Sequence, residues 1–440
     1  MSNVSQGSES VRSKHAEYLI PAVANYYADS IVLESGTGLV LRDADGHEYL
    51  DFFGGILTVS IGHCDPRVTE PLKAQIDQLG HVSSLYPTAP SVDLAEVLAR
   101  ITPGSLKKSF FTASGTEADE TAVVLAQLAT GNEEIIALRH GYSGRSLLAQ
   151  ALTGHAPWRA TPTRIAFVKH APAPYCYRCP LGLTYPKCDV KCARDIEELI
   201  DTTTTGRVAG FLAEPIQGVG GFVTPPQEYF EIATEIVRKK GGVFICDEVQ
   251  TGFGRTGEKM FGIEHHGVEP EIMTMAKGIA NGMPLAATIT TDEIASSFTA
   301  LTISTYGGNP MSSASALATI GVIEQERLAD NARDMGRIMR EGLAEMQRAH
   351  PQLIGDVRGK GLMIGVEFVV NEQAGDRTPN AAAVVQFFEE TKKRGLLIGK
   401  GGLFGNVLRI SPPLTVDESA VREALRIMSE SFDAMENGHG

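Results

Sequence analysis

Cysteine, basic charge and long apolar runs are all scarce in this chain of 440 residues. Six cysteines are too few for a disulfide framework in a chain of this length. A formal net charge of −14 argues against nucleic acid or an anionic membrane as the main partner. No apolar run is long enough to span a bilayer, and the polar first residues indicate neither a signal peptide nor a transit peptide. We therefore expect a soluble, cytoplasmic protein.

Four of the six cysteines lie close together in the sequence, as Cys176-x-x-Cys179 and Cys188-x-x-x-Cys192. This spacing is compatible with a structural zinc site in a loop. The alternative is an irregular surface loop, rich in proline and glycine, in which the thiols only pack. Nothing beside the four thiols resembles a folded zinc module, so we expect no metal here.

Strand-like and helix-like segments alternate through the middle of the chain, and 43% apolar residues suffice for a large core. The alternation predicts an α/β fold with a mostly parallel central sheet covered by helices on both faces. The strand-like runs are Phe110-Phe111, Ile135 to Leu138, Arg164 to Val168, Val208 to Ala213, Val243 to Cys246, Ile272 to Met275 and Leu285 to Thr290. We expect a large domain at 61–325, a smaller α+β domain at 326–440, and an N-terminal segment, 1–60, that packs with the smaller domain.

Two apolar strand-like runs end in groups of opposite charge: Asp247 follows Val243 to Cys246, and Lys277 follows Ile272 to Met275 after one residue. The carboxyl ends of parallel strands meet at one edge of a sheet, so we expect both groups to lie there. Pyridoxal chemistry requires an acid that can pair with a ring nitrogen and an amine that can condense with an aldehyde. The two residues therefore predict a pyridoxal 5'-phosphate site.

Small residues precede the predicted helix that begins at Glu117. At Ser114, Gly115 and Thr116 the backbone can approach an anion, and the first helical N–H groups would point at it. An ordinary N-cap is the alternative. Beside Asp247 and Lys277, we favour a phosphate site.

Three further side chains are candidates for the same sheet edge. Tyr142, after the run Ile135 to Leu138, could stack on a flat ring or could only pack. Glu214 ends another strand-like run, and Arg409 lies within the apolar run Val407 to Ile410. The two charged residues could pair with each other, or Arg409 could bind a substrate carboxylate.

The segment Gly252 to Gly257 fits the pattern G-x-G-x-x-G of dinucleotide-binding proteins. That pattern requires a helix through the glycines and a following strand that ends in an acid. Here the next stretch reads as a loop and the next strand ends in Lys277, so we reject a dinucleotide site.

Several motifs in their joint order resemble the class-III pyridoxal-phosphate-dependent aminotransferases of fold type I over nearly the whole chain. The matching stretches are Asp51-Phe52-Phe53-Gly54-Gly55-Ile56, Gly62-His63, Ser114-Gly115-Thr116-Glu117-Ala118, Glu214-Pro215-Ile216-Gln217-Gly218, Asp247-Glu248-Val249-Gln250-Thr251-Gly252-Phe253-Gly254-Arg255, Ala276-Lys277-Gly278 and Thr305-Tyr306-Gly307-Gly308-Asn309-Pro310. The resemblance is greatest to the alanine–glyoxylate aminotransferase-like branch.

The resemblance implies roles at the cofactor. Lys277 would carry it as a Schiff base and move the substrate proton, and Asp247 would pair with the pyridinium nitrogen. Val249 and Tyr142 would sandwich the ring, and Gln250 would hydrogen-bond its phenolic oxygen. One departure is Ser143, which stands where the family often has histidine after the stacking aromatic residue.

The resemblance also implies an assembly and a substrate site. Gly115 and Thr116 would bind the phosphate, joined by Thr305 of a neighbouring subunit, so we expect a homodimer or a tetramer. Arg409 would hold a substrate carboxylate and swing to Glu214 when the substrate lacks that group. The substrate pocket would be lined by Phe53, Ile56 and Tyr86.

The implied activity is transfer of an amino group from alanine, a β- or ω-amino acid or a related amine to a 2-oxo acid such as pyruvate or glyoxylate. A lyase that eliminates phosphate from an amino alcohol ester, and an amino-acid racemase, are the alternatives on the same fold. Both would keep Lys277 and Asp247.

Overall fold

The computed structural model describes residues 7–162 and 165–437. Its strands, in chain order, are β1 Leu33–Thr37, β2 Val40–Asp43, β3 Glu48–Asp51, β4 Lys108–Thr112, β5 Ile135–Leu138, β6 Val168–Ala171, β7 Gly210–Ala213, β8 Val243–Asp247, β9 Ile272–Met275, β10 Ala286–Thr290, β11 Ile354–Lys360, β12 Met363–Asn371, β13 Asp376–Pro379, β14 Leu396–Leu397, β15 Gly399–Gly401 and β16 Val407–Ile410.

The helices of the described residues are α1 Ser8–Tyr18, α2 Gly54–Leu57, α3 Pro66–Gln78, α4 Ala89–Ile101, α5 Gly115–Thr130, α6 Leu147–Leu152, α7 Lys191–Thr203, α8 Tyr229–Lys239, α9 Asp292–Ser296, α10 Pro310–Gln325, α11 Leu328–Ala349, α12 Ala381–Lys393 and α13 Glu418–Asn437. Short 3₁₀ helices span Ala156–Trp158, Gly262–His266, Lys277–Ala280 and Glu372–Ala374. None of these helices has the length and apolar character that crossing a bilayer requires.

The central sheet has seven strands in the order β4-β10-β9-β8-β7-β5-β6. Strands β5 to β9 run parallel, while β10 is antiparallel to both of its neighbours. The predicted mostly parallel α/β sheet is therefore confirmed. The strand expected from Arg164 to Val168 was placed too early: Arg164 lies outside the described residues, residues 165–167 are not in a strand, and β6 begins at Val168.

Successive residues of the central strands contact different helices. Phe211 and Phe244 pack in a core with α7 and α8, whereas Leu212 and Ile245 pack with α5. Because consecutive strand residues point to opposite faces, helices cover the sheet on both sides. This explains why the strand sequences are apolar throughout rather than alternating.

The N-terminal hairpin is joined to the C-terminal part of the chain. Strands β1, β2 and β3 form an antiparallel sheet whose last neighbour is β14, with Leu50 opposite Leu396. A second sheet, β11-β12-β16-β15 with β13 at the side, packs with α11 and α12. These contacts support the expected division at residues 60 and 325, which stays a prediction.

Candidate active site

The carboxyl ends of β8 and β9 place Asp247 and Lys277 at one edge of the parallel sheet. Both side chains line a single cavity together with most of the predicted cofactor residues. That cavity is lined by Thr58, Ala113, Ser114, Gly115, Thr116, Asp119, Tyr142, Ser143, Gly144, Asp247, Val249, Gln250, Ala276, Lys277, Gly282, Met283, Pro284 and Leu285. The structure therefore brings together residues from five separate stretches of sequence.

Lys277 is held in the left-handed region of backbone conformation, with φ +45°. Such strain at a residue without a glycine's freedom is typical of functional sites. Burial lowers the pKa of the Lys277 amine, and the nearby carboxyl groups of Asp247 and Glu214 oppose this effect. Within the described residues the amine forms no ion pair or hydrogen bond. It is therefore available for reaction with a ligand in the cavity.

Asp247 is 3% exposed, and one of its carboxyl oxygens accepts a hydrogen bond from the backbone N–H of Val249 at 2.9 Å. Burial raises its pKa to about 6, although the Val249 N–H and the charge of Lys277 both act in the opposite direction. A cationic ring nitrogen in the cavity would favour the ionised form of this acid. The side chain thus suits a pyridinium partner.

The start of α5 forms an anion cradle beside these two residues. The Ser114 hydroxyl caps the helix by accepting from the N–H of Glu117 at 3.3 Å, which leaves Gly115 and Thr116 in the first turn. A helix start favours bound anions, because its N–H groups and dipole are positive there. Gly144 lies against this turn: a Cβ atom built on it would be 2.0 Å from the Thr116 hydroxyl. Only glycine permits that approach.

The side chains expected beside a cofactor ring lie around the same cavity. Tyr142 forms an edge-on contact with Trp158, with the ring centroids 5.6 Å apart. Val249 lies against Gly115, where an added Cβ would be 3.3 Å from its methyl groups. The Gln250 side-chain oxygen is buried and has no partner among the described residues. A buried amide without a partner indicates that a ligand group completes its hydrogen bonds.

Glu214 and Arg409 are both buried but do not pair with each other in the described residues. The Gly218 peptide lies between them: its N–H donates to Glu214 at 2.7 Å, and its carbonyl accepts from Arg409 at 3.5 Å. Burial and the charge of Asp247 raise the pKa of Glu214 to about 8. The direct ion pair, one of the two alternatives considered for these residues, is therefore not formed in this chain. Arg409 instead lies over the Phe53 ring, 4.9 Å from its centroid.

Six of the predicted site residues are not among those that line this cavity: Glu214, Arg409, Phe53, Ile56, Tyr86 and Thr305. Ile56 is 45% exposed and Tyr86 is 67% exposed. Thr305 lines a different groove, with Ala113 and Tyr306. Thr305 was expected to act in a neighbouring subunit, and that role stays a prediction.

The structure adds residues that the sequence did not single out, Asp119 above all. Asp119 is four residues after Gly115 on α5, so it lies on the same face of the helix. That spacing was the available signal. Trp158 and Gly144 gave no comparable signal, because their places depend on loops.

The four clustered cysteines line one small loop cavity, whose lining includes none of the predicted site residues. All four are free thiols, and burial raises the pKa of Cys192 to about 12. Among the residues that the structure describes, no three His, Cys, Asp or Glu side chains are arranged to hold a metal ion.

The residues present fit pyridoxal 5'-phosphate. An amine without a hydrogen bond, a buried acid, an anion cradle that excludes a Cβ atom and a buried amide oxygen without a partner among the described residues all line one cavity. Fold and site together define a pyridoxal-phosphate-dependent transferase of fold type I.

Comparison with known proteins gives the same result. The family model for aminotransferase class-III matches residues 22–432. Alanine–glyoxylate aminotransferase 2 homolog 2, mitochondrial, of Arabidopsis thaliana is 42% identical, over 97% of this chain and 87% of its own. The human alanine–glyoxylate aminotransferase 2, mitochondrial, is 40% identical with the same coverage. The crystal structure of an aminotransferase of Bacillus anthracis superposes with a TM-score of 0.91 at 29% identity, over 97% of this chain and 98% of that one.

The chain belongs to the class-III aminotransferase family. It is a pyridoxal-phosphate-dependent enzyme that moves an amino group from an amino donor to a 2-oxo acid. The resemblance to the alanine–glyoxylate aminotransferase-like branch is confirmed.

Proposed function

We propose that Lys277 is the group that anchors the cofactor and carries the proton in each half of the reaction. The observation that supports this most is the amine of Lys277 without an ion pair, beside the buried Asp247 in one cavity. Bound pyridoxal phosphate supplies an electron sink for the bond that breaks next to the substrate nitrogen. The lowered pKa of Lys277 favours its neutral amine, which would take a proton from the substrate carbon and return it.

Asp247 would keep the ring nitrogen protonated, because a buried carboxylate stabilises a cation beside it. Gly115 and Thr116 would hold the phosphate at the start of α5, with Ser114 as the cap that shapes the turn. Tyr142 and Val249 would enclose the ring from its two faces.

Gln250 would hydrogen-bond the phenolic oxygen of the ring through its side-chain amide, whose oxygen has no partner among the described residues. Arg409 would bind the carboxylate of an amino acid or 2-oxo acid as a planar, bidentate donor. The Gly218 peptide, which contacts both Arg409 and Glu214, would let the guanidinium move towards Glu214 when a substrate lacks that carboxylate.

The donor and acceptor that we propose are alanine and glyoxylate, with pyruvate as an acceptor for other amino donors. The named activity of the relatives from Arabidopsis thaliana and human supports this pair. Phe53, Ile56 and Tyr86 stay predicted substrate contacts, of which Phe53 packs on Arg409 within the same chain. The lyase and racemase alternatives are not favoured, because the family model and the relatives at 40–42% identity are aminotransferases, whereas a leucine/methionine racemase is 34% identical and a phospholyase structure 30% identical.

We also propose that the enzyme is a homodimer. The segments around Tyr86 and Leu301 expose large apolar side chains, and they are joined by a hydrogen bond between the backbones of Ser84 and Ser304. Contiguous exposed apolar side chains are typical of protein interfaces. The cytoplasmic location stays a prediction, and cell fractionation tests it against the mitochondrial location in the names of the relatives.

A half-reaction tests the function directly. L-alanine added alone to the holoenzyme should convert the cofactor to its amine form and remove its visible absorbance, and pyruvate or glyoxylate should restore it. A panel of other amino donors, each given with pyruvate, then fixes the donor. If alanine and every other donor leave the absorbance unchanged while the enzyme eliminates phosphate or racemises an amino acid, the proposed transamination is wrong.

A further inference from the structure

Asp119 is an acid within the cofactor cavity that the reaction described above does not use. It lies on the first turns of α5, is 1% exposed, and lines the cavity together with Asp247 and Lys277. A carboxyl group buried to this degree needs either a cation or a proton, because an unpaired buried charge is costly.

The partners of Asp119 are hydroxyl groups. The Thr274 hydroxyl donates to its Oδ1 atom at 2.8 Å, and the side chain of Ser143 is a second hydrogen-bond partner. Thr274 is also the neighbour of Asp247 in the parallel pairing of β8 and β9. Asp119 thus connects three elements that enclose Asp247: α5, β9 and the loop after β5.

The charges around Asp119 disfavour its ionised form. Asp247 faces it from the end of β8, and Glu214 faces it from the residue after β7. Lys277 is the nearby cation, and its charge interacts more strongly with Asp247 than with Asp119. Burial raises the pKa of Asp119 well above its ordinary value, and Asp247 adds to this effect. The hydroxyls of Thr274 and Ser143 oppose it only in part.

The cofactor phosphate would also disfavour the ionised form of Asp119. It is expected at the start of the same helix, and an ionised Asp119 one turn later would repel it. The pyridinium cation would already have Asp247 as its partner. A second anion in the same cavity would therefore be unfavourable.

Resting on the function proposed above, we propose that Asp119 is a positioning residue: a neutral carboxylic acid that fixes Thr274 and Ser143 and leaves Asp247 as the single anion at the ring nitrogen. The hydrogen bonds of Asp119, rather than its charge, then matter. The uncharged and isosteric substitution Asp119→Asn should keep the site, whereas Asp119→Leu should not.

Infrared difference spectroscopy tests the protonation state. The spectrum of the wild-type protein minus that of Asp119→Asn, at pH 7.5, should contain the carbonyl stretch of one protonated carboxyl group, with and without cofactor. Asp77→Asn, the same substitution on an exposed part of α3, is the matched control and should produce no such difference. Carboxylate bands in place of the protonated band would overturn the inference. This measurement does not depend on amino transfer. It can therefore overturn the role of Asp119 while the alanine half-reaction still supports transamination, or support that role while the half-reaction fails.

Cofactor affinity tests the positioning role. Asp119→Asn should keep the dissociation constant of pyridoxal phosphate within about fivefold of the wild type, since less than about 1 kcal/mol is lost. Asp119→Leu, which leaves the Thr274 hydroxyl without its partner, should weaken binding more than about tenfold. Weakening beyond fivefold in the asparagine variant would show that the charge is needed. Unchanged cofactor binding in the folded leucine variant would show that the hydrogen bonds of Asp119 are not needed.

Discussion

Burial decides the charge of the individual residues at this site. Asp247 and Glu214 both have a raised pKa, at about 6 and about 8, whereas the pKa of Lys277 is lowered. Asp247 is therefore the first of these two acids to ionise as the pH rises. A group that must pair with a cationic ring needs this order, and the order follows from burial and mutual repulsion rather than from residue type.

Asp247→Asn should leave the fold intact and slow the enzyme. The substitution keeps the size of the side chain but removes the negative charge that holds the ring proton. Loss of one such electrostatic contact typically costs roughly 10²- to 10³-fold in kcat. Single-turnover kinetics with alanine measure the effect, and circular dichroism provides the control for folding. A variant with the wild-type rate would mean that this acid has only a structural role.

His155 makes a pH-dependent contribution to stability. Its ring nitrogens are buried without partners in the described residues, and burial lowers its pKa to about 4 from the ordinary 6.5. As the pH falls below 6.5, His155 binds a proton in the unfolded chain but not in the folded chain. The free energy of unfolding therefore decreases towards pH 4.

His155→Gln removes the pH-dependent contribution of this histidine to stability, because glutamine does not titrate. The free energy of unfolding of the wild type minus that of the variant should fall between pH 6.5 and 4.5, by up to about 1.4 kcal/mol per pH unit. Urea unfolding at pH 7.5, 6.0 and 5.0 measures it. A difference that does not change with pH would contradict the burial of a neutral ring.

At this scale the sequence predicted the residues that end strands. Asp247 and Lys277 could be found because an apolar run followed by a charged residue marks a sheet edge. Asp119 could have been found only from its helical spacing to Gly115. The absence of a Glu214–Arg409 pair could not be foreseen, because it depends on where the Gly218 peptide lies.

At the scale of elements, the loop after β5 packs so closely against the start of α5 that a Cβ atom at Gly144 would not fit. Gly144 has φ +133°, and a Cβ atom there would be 2.0 Å from the Thr116 hydroxyl. The phosphate cradle therefore depends on a loop that is distant in sequence from the helix it touches.

Gly144→Ala should weaken binding of pyridoxal phosphate at least about tenfold, or about 1.4 kcal/mol, by displacing Thr116. Gly131→Ala is the matched control: Gly131 ends α5 with φ +67°, and an added Cβ would meet no atom within 4 Å. The control should lose some stability through backbone strain but keep its cofactor affinity. Equal cofactor affinity in the two variants would argue against a phosphate at this turn.

The elements of the central sheet could be predicted because helices on both faces make its strands apolar throughout. The connection of β3 to β14 could not be predicted, since it joins residues more than 340 positions apart through a pairing of two residues. Short strands of this kind carry too little pattern to be recognised in a sequence.

At the scale of the whole molecule, one chain leaves the predicted site incomplete. Thr305 lines a groove other than the cofactor cavity of its own chain, and the neighbouring Leu301 is fully exposed. A second copy that covers this surface would bury Leu301 and bring Thr305 to the phosphate of its partner.

Leu301→Asp should therefore dissociate the dimer, because a buried carboxylate without a partner is unfavourable. Sedimentation should give twice the chain mass of 47.1 kDa for the wild type and the single chain mass for the variant, with weaker cofactor binding. Val385→Asp, on an exposed part of α12, is the control and should stay dimeric. A wild type that sediments as one chain and still binds the cofactor would rule out the shared site.

The covalent attachment of the cofactor to Lys277 is tested most directly by borohydride reduction of the holoenzyme followed by peptide mapping. We expect one pyridoxyl-phosphate group for each chain, on the peptide that contains Lys277, and no labelled peptide in Lys277→Ala. A label on a different lysine, or an unmodified Lys277 in cofactor-saturated protein, would contradict the account.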